Sequence, residues 1–277
     1  MRSDLVTDGS VEITTGSKVD RADRLGILGE EYAFFIGGSM EIKSIEELVA
    51  GNPYPGRGIV VGESTDGKSA VLAYFIMGRS ANSRNRVLAV EEGALYTRPF
   101  DESKVADPSL IIYPAMRKCG GSVILTNGDQ TDTIYAGLQT GKDFFDSLET
   151  REYEPDAPNY TPRISAFVTP SDKGFSYKLS ILRRTPSGEC ERARFSYAAQ
   201  AGVGHFLHTY RTDGAPLPSF EGAPKEVSLP AEIDDFAQTL WSALDEENKI
   251  SLYVAYIDLA TGEETSRLYN KNQRRDQ

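Results

Sequence analysis

The sequence predicts an α+β fold in which β-sheets pack on each other and helices lie outside them. Most segments with a clear hydrophobic pattern are short and rich in β-branched and aromatic residues, which is typical of strands. Two of these segments, LIIYPAM and SVILTNG, are nearly unbroken apolar runs, which indicates burial on both faces. Only two segments carry apolar residues at helical spacing. Doubly covered strands with few helices favour a layered architecture.

The first clear strands form a predicted hairpin. The segments GIVVGE and AVLAYFIM flank STDGK, in which Asp66 and Gly67 are expected to supply the positive-φ residues of a tight turn. Two strands joined by so short a turn pair with each other. We therefore expect them to be antiparallel neighbours in one sheet.

The first predicted helix follows the strand-to-helix turn TNGDQTD. Apolar residues from Ile134 to Leu148 recur near helical spacing, and the helix is expected to break at Thr140-Gly141. Thr131 or Asp132 is predicted to cap its N-terminus, because hydroxyl and carboxylate side chains accept hydrogen bonds from the first helical amides.

The remaining elements complete a single domain. Further strands are predicted at RISAFVT, SYKLSILR, ARFSYAA and HFLHTY, followed by a helix over AEIDDFAQTLWSALD and a last strand at KISLYVAYIDL. No repeat or long flexible linker divides residues 41–277, which are predicted to form one domain. Residues 1–40 are interpreted as a leader of uncertain order, although LGILGEEYAFFIGG within them could form a strand.

Charge and composition exclude several classes of function. The net charge of −11 and the isoelectric point near 4.8 disfavour binding to nucleic acid or to an anionic membrane surface. An anionic ligand must therefore be held by a local cluster of cations. Cys119, Cys190, His205 and His208 are the only cysteines and histidines, too few for a zinc site of the usual kind. We expect no metal, no membrane span and a cytoplasmic protein.

Three arginines follow a predicted strand in YFIMGRSANSRNR. Arg79, Arg84 and Arg86 lie among small residues that would let a ligand approach the backbone, and guanidinium groups suit phosphates and carbonyl oxygens. Taken alone, the segment is better explained as a solvated loop whose arginines pair with carboxylates.

A group of acidic residues lies among three prolines in REYEPDAPNYTPRI. The prolines are predicted to hold the backbone extended and rigid, so that a carboxylate such as Glu154 could be fixed well enough to act as a base. The alternative is a connecting loop with solvated acids.

Six motifs, taken in order, resemble the archaeal-type inosine monophosphate (IMP) cyclohydrolase family. They are NPYPGRGIVVG, YFIMGRSANSRNR, DPSLIIYPAMR, TNGDQTD, REYEPDAPNYTPRI and GVGHFLHTYRTDGAPLPSFEG, and the resemblance covers roughly residues 50–260. It implies closure of 5-formamidoimidazole-4-carboxamide ribotide to IMP with loss of water, the last step of de novo purine synthesis. It also implies a four-layer αββα sandwich similar to that of N-terminal-nucleophile hydrolases. The chain begins Met1-Arg2 and shows no such nucleophile.

The resemblance gives three residues catalytic roles. Arg79 matches an arginine that would steady the formyl or carboxamide oxygen. Tyr113 matches a tyrosine that would donate a hydrogen bond or relay a proton. Glu154 matches a glutamate that would act as general base or anchor the carboxamide NH₂. Ring closure needs no cofactor, because the substrate carries both reacting groups.

Other residues are predicted to bind the nucleotide. The matching motifs place Asn127, Asp129 and Arg163 in nucleotide binding. Charge and proximity in the sequence suggest the phosphate ligands Arg57, Arg84 and Arg86. The partner implied is a small purine nucleotide, and a homo-oligomer is compatible with the sequence.

Two alternative functions remain at this point. One is a purine-nucleotide-binding paralogue that has kept the pocket and lost turnover. The other is an amide-cleaving hydrolase on the same fold, for which Gly121-Ser122 is the one site of self-cleavage worth considering.

Overall fold

The computed structural model describes residues 12–14, 42–105, 111–171 and 174–272. The strand predicted within LGILGEEYAFFIGG lies outside these residues, as does nearly all of the predicted leader. Within the described ranges the chain forms two antiparallel sheets and a few helices, so the predicted α+β class is confirmed.

The helices are short. They are α1 (Ile45–Val49), α2 (Ala81–Arg84), α3 (Gln130–Gln139), α4 (Phe144–Ser147) and α5 (Ile233–Ala243), with a 3₁₀ helix at Glu102–Lys104. None of the helices described here is long and apolar enough to cross a membrane.

The strands form one sheet of eight and one of six. In spatial order the larger sheet contains β1 (Glu12–Thr14), β10 (Cys190–Ala198), β9 (Gly174–Arg184), β8 (Arg163–Ser171), β7 (Ser122–Thr126), β6 (Tyr113–Cys119), β5 (Ala94–Arg98) and β4 (Val87–Glu91). The smaller sheet contains β12 (Lys225–Ser228), β11 (Val203–His208), β2 (Arg57–Glu63), β3 (Ser69–Met77), β13 (Lys249–Asp258) and β14 (Glu264–Asn270).

Alternating side chains explain how the two sheets and the helices pack. Leu72 and Tyr74 of β3 face the larger sheet and join Leu125 and Leu179 in the largest apolar cluster. The next residue, Phe75, points to the opposite face, where α1 and α5 cover the smaller sheet. Helices α3 and α4 cover the outer face of the larger sheet. Each fully buried Leu or Phe side chain contributes about 1.5–3 kcal/mol to folding.

The predicted hairpin is confirmed, but its turn differs in one respect. Strands β2 and β3 pair in antiparallel register, with Arg57 opposite Ile76. Of the two predicted turn residues, only Gly67 adopts a positive φ, of 70°. The prediction for Asp66 was therefore wrong. The Asp66 carboxylate instead accepts hydrogen bonds from the Ser64 hydroxyl and the Lys68 amide. Asp66 can make both hydrogen bonds with a negative φ, so the turn does not require a positive φ at this residue.

The first predicted helix is confirmed, with its break in the expected place. Helix α3 ends at Gln139 and α4 begins at Phe144, so the interruption contains Thr140-Gly141. The predicted cap was wrong, because Asp129 is the N-cap residue and Thr131 lies inside the helix. The Thr131 hydroxyl turns back to the Thr126 hydroxyl, 2.6 Å away.

The two histidines lie on opposite faces of β11, as alternation along a strand requires. The His205 Nδ1 atom lies 2.7 Å from the Tyr177 hydroxyl between the sheets, whereas His208 stacks on Phe206 on the other face. Among the described residues no group of three His, Cys, Asp or Glu side chains is gathered as a metal site.

The buried histidines predict a loss of stability at mildly acidic pH. Burial lowers the pKa of His205 to about 4 and the pKa of His208 to about 4, whereas both rise to about 6.5 on unfolding. The unfolded chain therefore binds more protons between these values. We expect each histidine to remove about 2 kcal/mol of unfolding free energy between pH 7 and pH 5, as measured by urea denaturation.

A single-histidine variant provides the control. His208→Gln should lose about half of this pH dependence, because one of the two titrating groups is gone. The raised pKa of buried Glu154 acts in the opposite sense and stabilises the fold as the pH falls. Equal unfolding free energies at pH 7 and pH 5 in the unsubstituted protein would contradict the prediction.

Candidate active site

A cavity of about 200 Å³ opens at one end of the smaller sheet. The start of β2, the end of β3 and the end of β11 meet there, as the pairing of Arg57 with Ile76 and of His208 with Gly58 requires. Four predicted site residues line it, namely Arg57, Arg79, Arg86 and Glu154. The other lining residues are Tyr54, Ser80, Asn82, Ser83, Asp156, Asn159, Thr161, Tyr210 and Leu217.

Glu154 is held by the loop that precedes β8. Its amide donates a 2.8 Å hydrogen bond to the Thr161 carbonyl. The Asp156 carboxylate accepts hydrogen bonds from both the amide and the hydroxyl of Thr161, and the Asp156 carbonyl accepts from the Asn159 and Tyr160 amides. The loop is therefore folded back on itself rather than extended as predicted. Its rigidity comes from Asp156 as well as from the prolines.

The Glu154 carboxylate is buried and faces the cavity. Its residue is 5% exposed, and within the described part of the chain its oxygens have no hydrogen-bond partner. Burial raises the pKa of Glu154, while the positive charges of Arg57 and Arg163 partly oppose this shift. A carboxylate with a raised pKa and unused lone pairs is suited to accept a proton from a ligand.

Two buried arginines lie beside this carboxylate. Burial is the largest single influence on Arg57 and lowers its pKa, but the combined interactions with Glu154 and with the tyrosines around it outweigh burial and raise the pKa of Arg57 above its usual range. The pKa of Arg86 is lowered by burial and by the nearby charge of Arg57. Both side chains remain cationic at neutral pH. The buried Nε atom of Arg57 has no hydrogen-bond partner among the described residues, while the side chain as a whole lines the cavity.

One wall of the cavity is aromatic. The rings of Tyr54 and Tyr210 are stacked with centroids 5.8 Å apart, and the Arg79 guanidinium lies 5.0 Å from the centroid of Tyr54. Stacked rings with a guanidinium provide a flat surface for a heterocycle. Sequence reasoning gave no role to either tyrosine, although both lie in quoted motifs, NPYPGRGIVVG and GVGHFLHTYRTDGAPLPSFEG.

Arg79 is more exposed than the other two arginines and already has partners. Its Nη1 donates to the Asp213 carboxylate and, at 3.0 Å, to the Gly214 carbonyl. Its side chain is 34% exposed. A ligand oxygen that binds Arg79 must therefore compete with Asp213.

Five predicted site residues do not line the cavity, and Tyr113 and Arg84 are two of them. Tyr113 is buried, with its hydroxyl 3.0 Å from that of Tyr74, and it interacts electrostatically with Arg57 and Arg86. Arg84 points away, donating to the Gly78 carbonyl and the Asn248 side chain. Arg84 is therefore poorly placed for a ligand in this cavity.

The residues of TNGDQTD form a layer behind Glu154. The Asn127 side chain binds the backbone at Pro162 and Ile164, and Asp129 pairs with Arg163 at 2.7 Å. Arg163 also donates to the Gln130 side-chain oxygen at 2.7 Å. Asp129 and Arg163 line a separate, more open cleft on the other side of this layer. None of the three predicted binders Asn127, Asp129 and Arg163 lines the cavity that contains Glu154.

Gly128 allows this layer to pack directly against Glu154. A Cβ atom at position 128 would lie 2.6 Å from Arg163 Nη1, 2.6 Å from the Gln130 side-chain oxygen and 3.4 Å from Glu154 Oε1. Contacts this short require a glycine for a close approach, and the backbone at Gly128 does not have a positive φ.

Gly128→Ala is therefore expected to damage both stability and the cavity. The added methyl must displace the Arg163 or Gln130 side chain, which should lower the unfolding free energy by about 1–3 kcal/mol. Gly120→Ala in the β6–β7 turn is the control for ligand binding, because its Cβ meets nothing within 4 Å and it lies outside the cavity, whereas its positive φ carries a stability cost of its own. Denaturation and ligand binding measured on both variants check this. Unchanged stability and binding in Gly128→Ala would contradict it.

The residue pair proposed for self-cleavage lies elsewhere. Gly120 and Gly121 form the turn between β6 and β7, where Ser122 pairs with Cys119. The Ser122 hydroxyl donates to the Thr169 hydroxyl at 3.0 Å, and Ser122 does not line the cavity.

The chain is similar to known proteins of one family. A family model described as "IMP cyclohydrolase-like protein" matches residues 54–263. The chain is similar to the IMP cyclohydrolase of Methanopyrus kandleri, with 34% identity over 116 residues, which is 40% of this chain and 57% of that protein. It is similar to the IMP cyclohydrolase of Methanothrix thermoacetophila, with 32% identity over 174 residues, which is 61% of this chain and 80% of that protein. A third relative, the IMP cyclohydrolase of Methanococcus aeolicus, is 30% identical over 128 residues, which is 45% of this chain and 62% of that protein.

Proposed function

The chain belongs to the IMP cyclohydrolase-like family, and from this membership and the cavity we propose that it is an IMP cyclohydrolase. It closes 5-formamidoimidazole-4-carboxamide ribotide to IMP with loss of water, the last step of de novo purine synthesis. The observation that carries the proposal is the buried Glu154 carboxylate, which lines the cavity without a hydrogen-bond partner in the described structure and lies beside the Arg57 charge. A base and a cation in one small cavity are what an addition to a carbonyl group needs.

The proposed reaction has two steps. In the first, the carboxamide nitrogen forms a bond to the formyl carbon, Glu154 takes one proton from that nitrogen, and negative charge develops on the formyl oxygen. This oxygen then takes the proton back from Glu154. In the second step, the C–O bond breaks, the leaving hydroxyl takes up one proton and departs as water, and the former formamide nitrogen releases one proton as the C=N bond forms, so that the protons balance. No redox change occurs, and only water is released.

The cavity residues divide these tasks among them. Glu154 accepts and returns the proton, and Arg57 stabilises the developing oxyanion with its guanidinium charge. Tyr54 and Tyr210 hold the imidazole ring against a flat wall, which keeps the two reacting groups close. Arg79 binds the carboxamide oxygen, which replaces Asp213 as its partner. Arg86 is the candidate for binding the 5′-phosphate.

Tyr113 acts in this proposal from behind the two buried arginines. Its hydroxyl shares a hydrogen bond with that of Tyr74 and lies near Arg57 and Arg86 at the base of the cavity, where it supports their side chains. The fold is proposed to be related to that of N-terminal-nucleophile hydrolases, with a different reaction carried out at the end of the sandwich.

The proposal is tested by turnover of the purified protein. We expect formamidoimidazole carboxamide ribotide to give IMP, followed by absorbance and mass, at a rate proportional to protein concentration and unchanged by a chelator. Nucleotide that binds without forming IMP would instead establish the silent paralogue. An intact mass equal to that of the full chain would exclude self-cleavage at Gly121-Ser122.

A further inference from the structure

The charged groups around Glu154 come from several elements and from both sides of its layer. Arg57 approaches from β2 and Arg86 from the segment before β4, both on the cavity side. Arg163 approaches from β8 on the opposite side, where it borders the open cleft. The remaining ionisable groups that interact with Glu154 are Asp156 of its own loop and Tyr210.

Arg163 has no free path to a ligand in the cavity. Its side chain is 8% exposed, and its Nη1 is bound to both the Gln130 oxygen and the Asp129 carboxylate, each at 2.7 Å. The open cleft that Arg163 borders contains equal numbers of acids and bases, Asp129, Glu149 and Glu152 against Arg151, Arg163 and Arg192. A neutral cleft of this kind is a weak site for a phosphate.

The guanidinium of Arg163 is nevertheless close to Glu154. Arg163 Nη1 and Glu154 Oε1 lie 2.6 Å and 3.4 Å from the same point above Gly128, the point where a side chain would begin. The separation of these two atoms cannot exceed the sum of the two distances, which is about 6 Å. An opposite charge within roughly 4–6 Å favours the ionised form of a buried carboxylate. Because Glu154 is shielded from water, this interaction is weakened little by salt.

The rest of the turn fixes the orientation of the Arg163 partner Gln130. The Gln130 side-chain nitrogen donates to the Asn127 oxygen at 3.0 Å and to the Ile164 carbonyl at 3.2 Å, which leaves its oxygen directed at Arg163. Asp129, the N-cap residue of α3, makes no capping hydrogen bond and binds Arg163 and Arg151 instead. The polar groups of the turn are thus committed to holding one guanidinium in place.

We propose that Arg163 is a positioning residue for Glu154, which it keeps in the proton-accepting, ionised form from outside the cavity without touching the substrate. The inference rests on the proposed function, since it takes Glu154 to be the base. It assigns Asn127, Asp129 and Gln130 to the support of Arg163 rather than to nucleotide binding.

The first test is the pH dependence of kcat/KM in three variants. In Arg163→Gln the midpoint of the acid limb should move up by about one pH unit, while KM at high pH stays near that of the unsubstituted protein. Arg163→Lys should restore the midpoint, because the charge is kept. Asp129→Asn should move it slightly in the opposite direction, because a negative charge next to Arg163 is removed.

These variants separate positioning from a general structural role. Arg192→Gln is the neighbouring control, since Arg192 borders the same cleft but donates to backbone carbonyls of residues 148, 149 and 151. It should leave the midpoint unchanged. If Arg163→Gln does not fold, the shift expected in Asp129→Asn still decides the matter. The inference would be overturned if the midpoint of the acid limb in Asp129→Asn and in Arg163→Gln equalled that of the unsubstituted protein. It would also be overturned if KM rose while the midpoint did not move.

A direct titration keeps the inference separate from the proposed function. The side-chain carboxyl carbon of Glu154 can be followed by NMR in protein labelled with ¹³C-glutamate, with its resonance assigned by its loss in Glu154→Gln. Its titration should move up by about one pH unit in Arg163→Gln even if no IMP is formed. Absence of turnover alone would contradict the proposed function. An unchanged titration midpoint of Glu154 in Arg163→Gln would contradict the proposed role of Arg163.

Discussion

Glu154→Gln is expected to lower kcat by about 10²-fold or more, the usual contribution of a general base, with KM changed little. Glutamine keeps the shape and the burial of the side chain but cannot accept the proton from the carboxamide nitrogen. The loop that holds Glu154 is fixed by Thr161 and Asp156, so the substitution should not move the backbone. Steady-state kinetics with the formylated ribotide measure both parameters.

The same residue sets the expected pH profile. The unsubstituted enzyme should lose activity on the acid side at a pH above the ordinary glutamate range, since burial raises the pKa of Glu154. Glu152→Gln is the matched control, because Glu152 is exposed, lies two residues away and borders the open cleft. It should retain full activity. Wild-type kcat in Glu154→Gln would remove Glu154 from the role of base.

The core of the fold could be predicted from the sequence because its strands are strongly patterned. The apolar runs of β3, β7 and β13 are buried along nearly their whole length, and such runs leave few alternatives. The edge elements were missed. Strand β4 has a half-exposed Val90, and β14 is mostly polar. Edge strands pack on one side only, so their patterns resemble those of loops.

In the candidate site, the sequence indicated which types of residue take part but not the direction in which each side chain points. Arg84 and Arg86 are two residues apart and looked equivalent in sequence. The single turn of helix α2 ends between them, so that Arg84 points to Gly78 and Asn248 while Arg86 enters the cavity. A one-turn helix held by a Ser80 capping box is too short to give a periodic signal.

The roles proposed for Tyr54 and Asp129 could not be predicted from the sequence either. Tyrosines that line a cavity and tyrosines that fill a core have the same residue type and similar neighbours in sequence. Asp129 was expected to bind nucleotide, but whether it faces a ligand or Arg163 depends on contacts between β8 and α3, which are 24 residues or more apart in the chain. Only the folded arrangement supplies that information.

Arg57→Met is expected to lower kcat/KM by about 10²–10³-fold, the usual cost of losing one oxyanion donor. The loss should appear mainly in kcat, because the donor acts on charge that develops in the transition state. If Arg57 instead bound the 5′-phosphate, KM would rise while kcat stayed near normal. Arg84→Met is the control, since Arg84 comes from the neighbouring arginine segment and lies outside the cavity. It should keep nearly full activity.

The Arg57→Met substitution should leave the stability of the fold almost unchanged. Its effect on catalysis can then be separated from any effect on folding. Removing one partner of a buried charge pair costs several kcal/mol when the other charge stays uncompensated. Here the remaining carboxylate can take up a proton, because burial already raises the pKa of Glu154, so that no uncompensated charge is left buried. We therefore expect the unfolding free energy at pH 7 to change by no more than about 1 kcal/mol, as measured by urea denaturation. A stable but inactive Arg57→Met would mean that this buried cation is retained for catalysis, whereas a loss of several kcal/mol would mean that Arg57 holds the sheet end together.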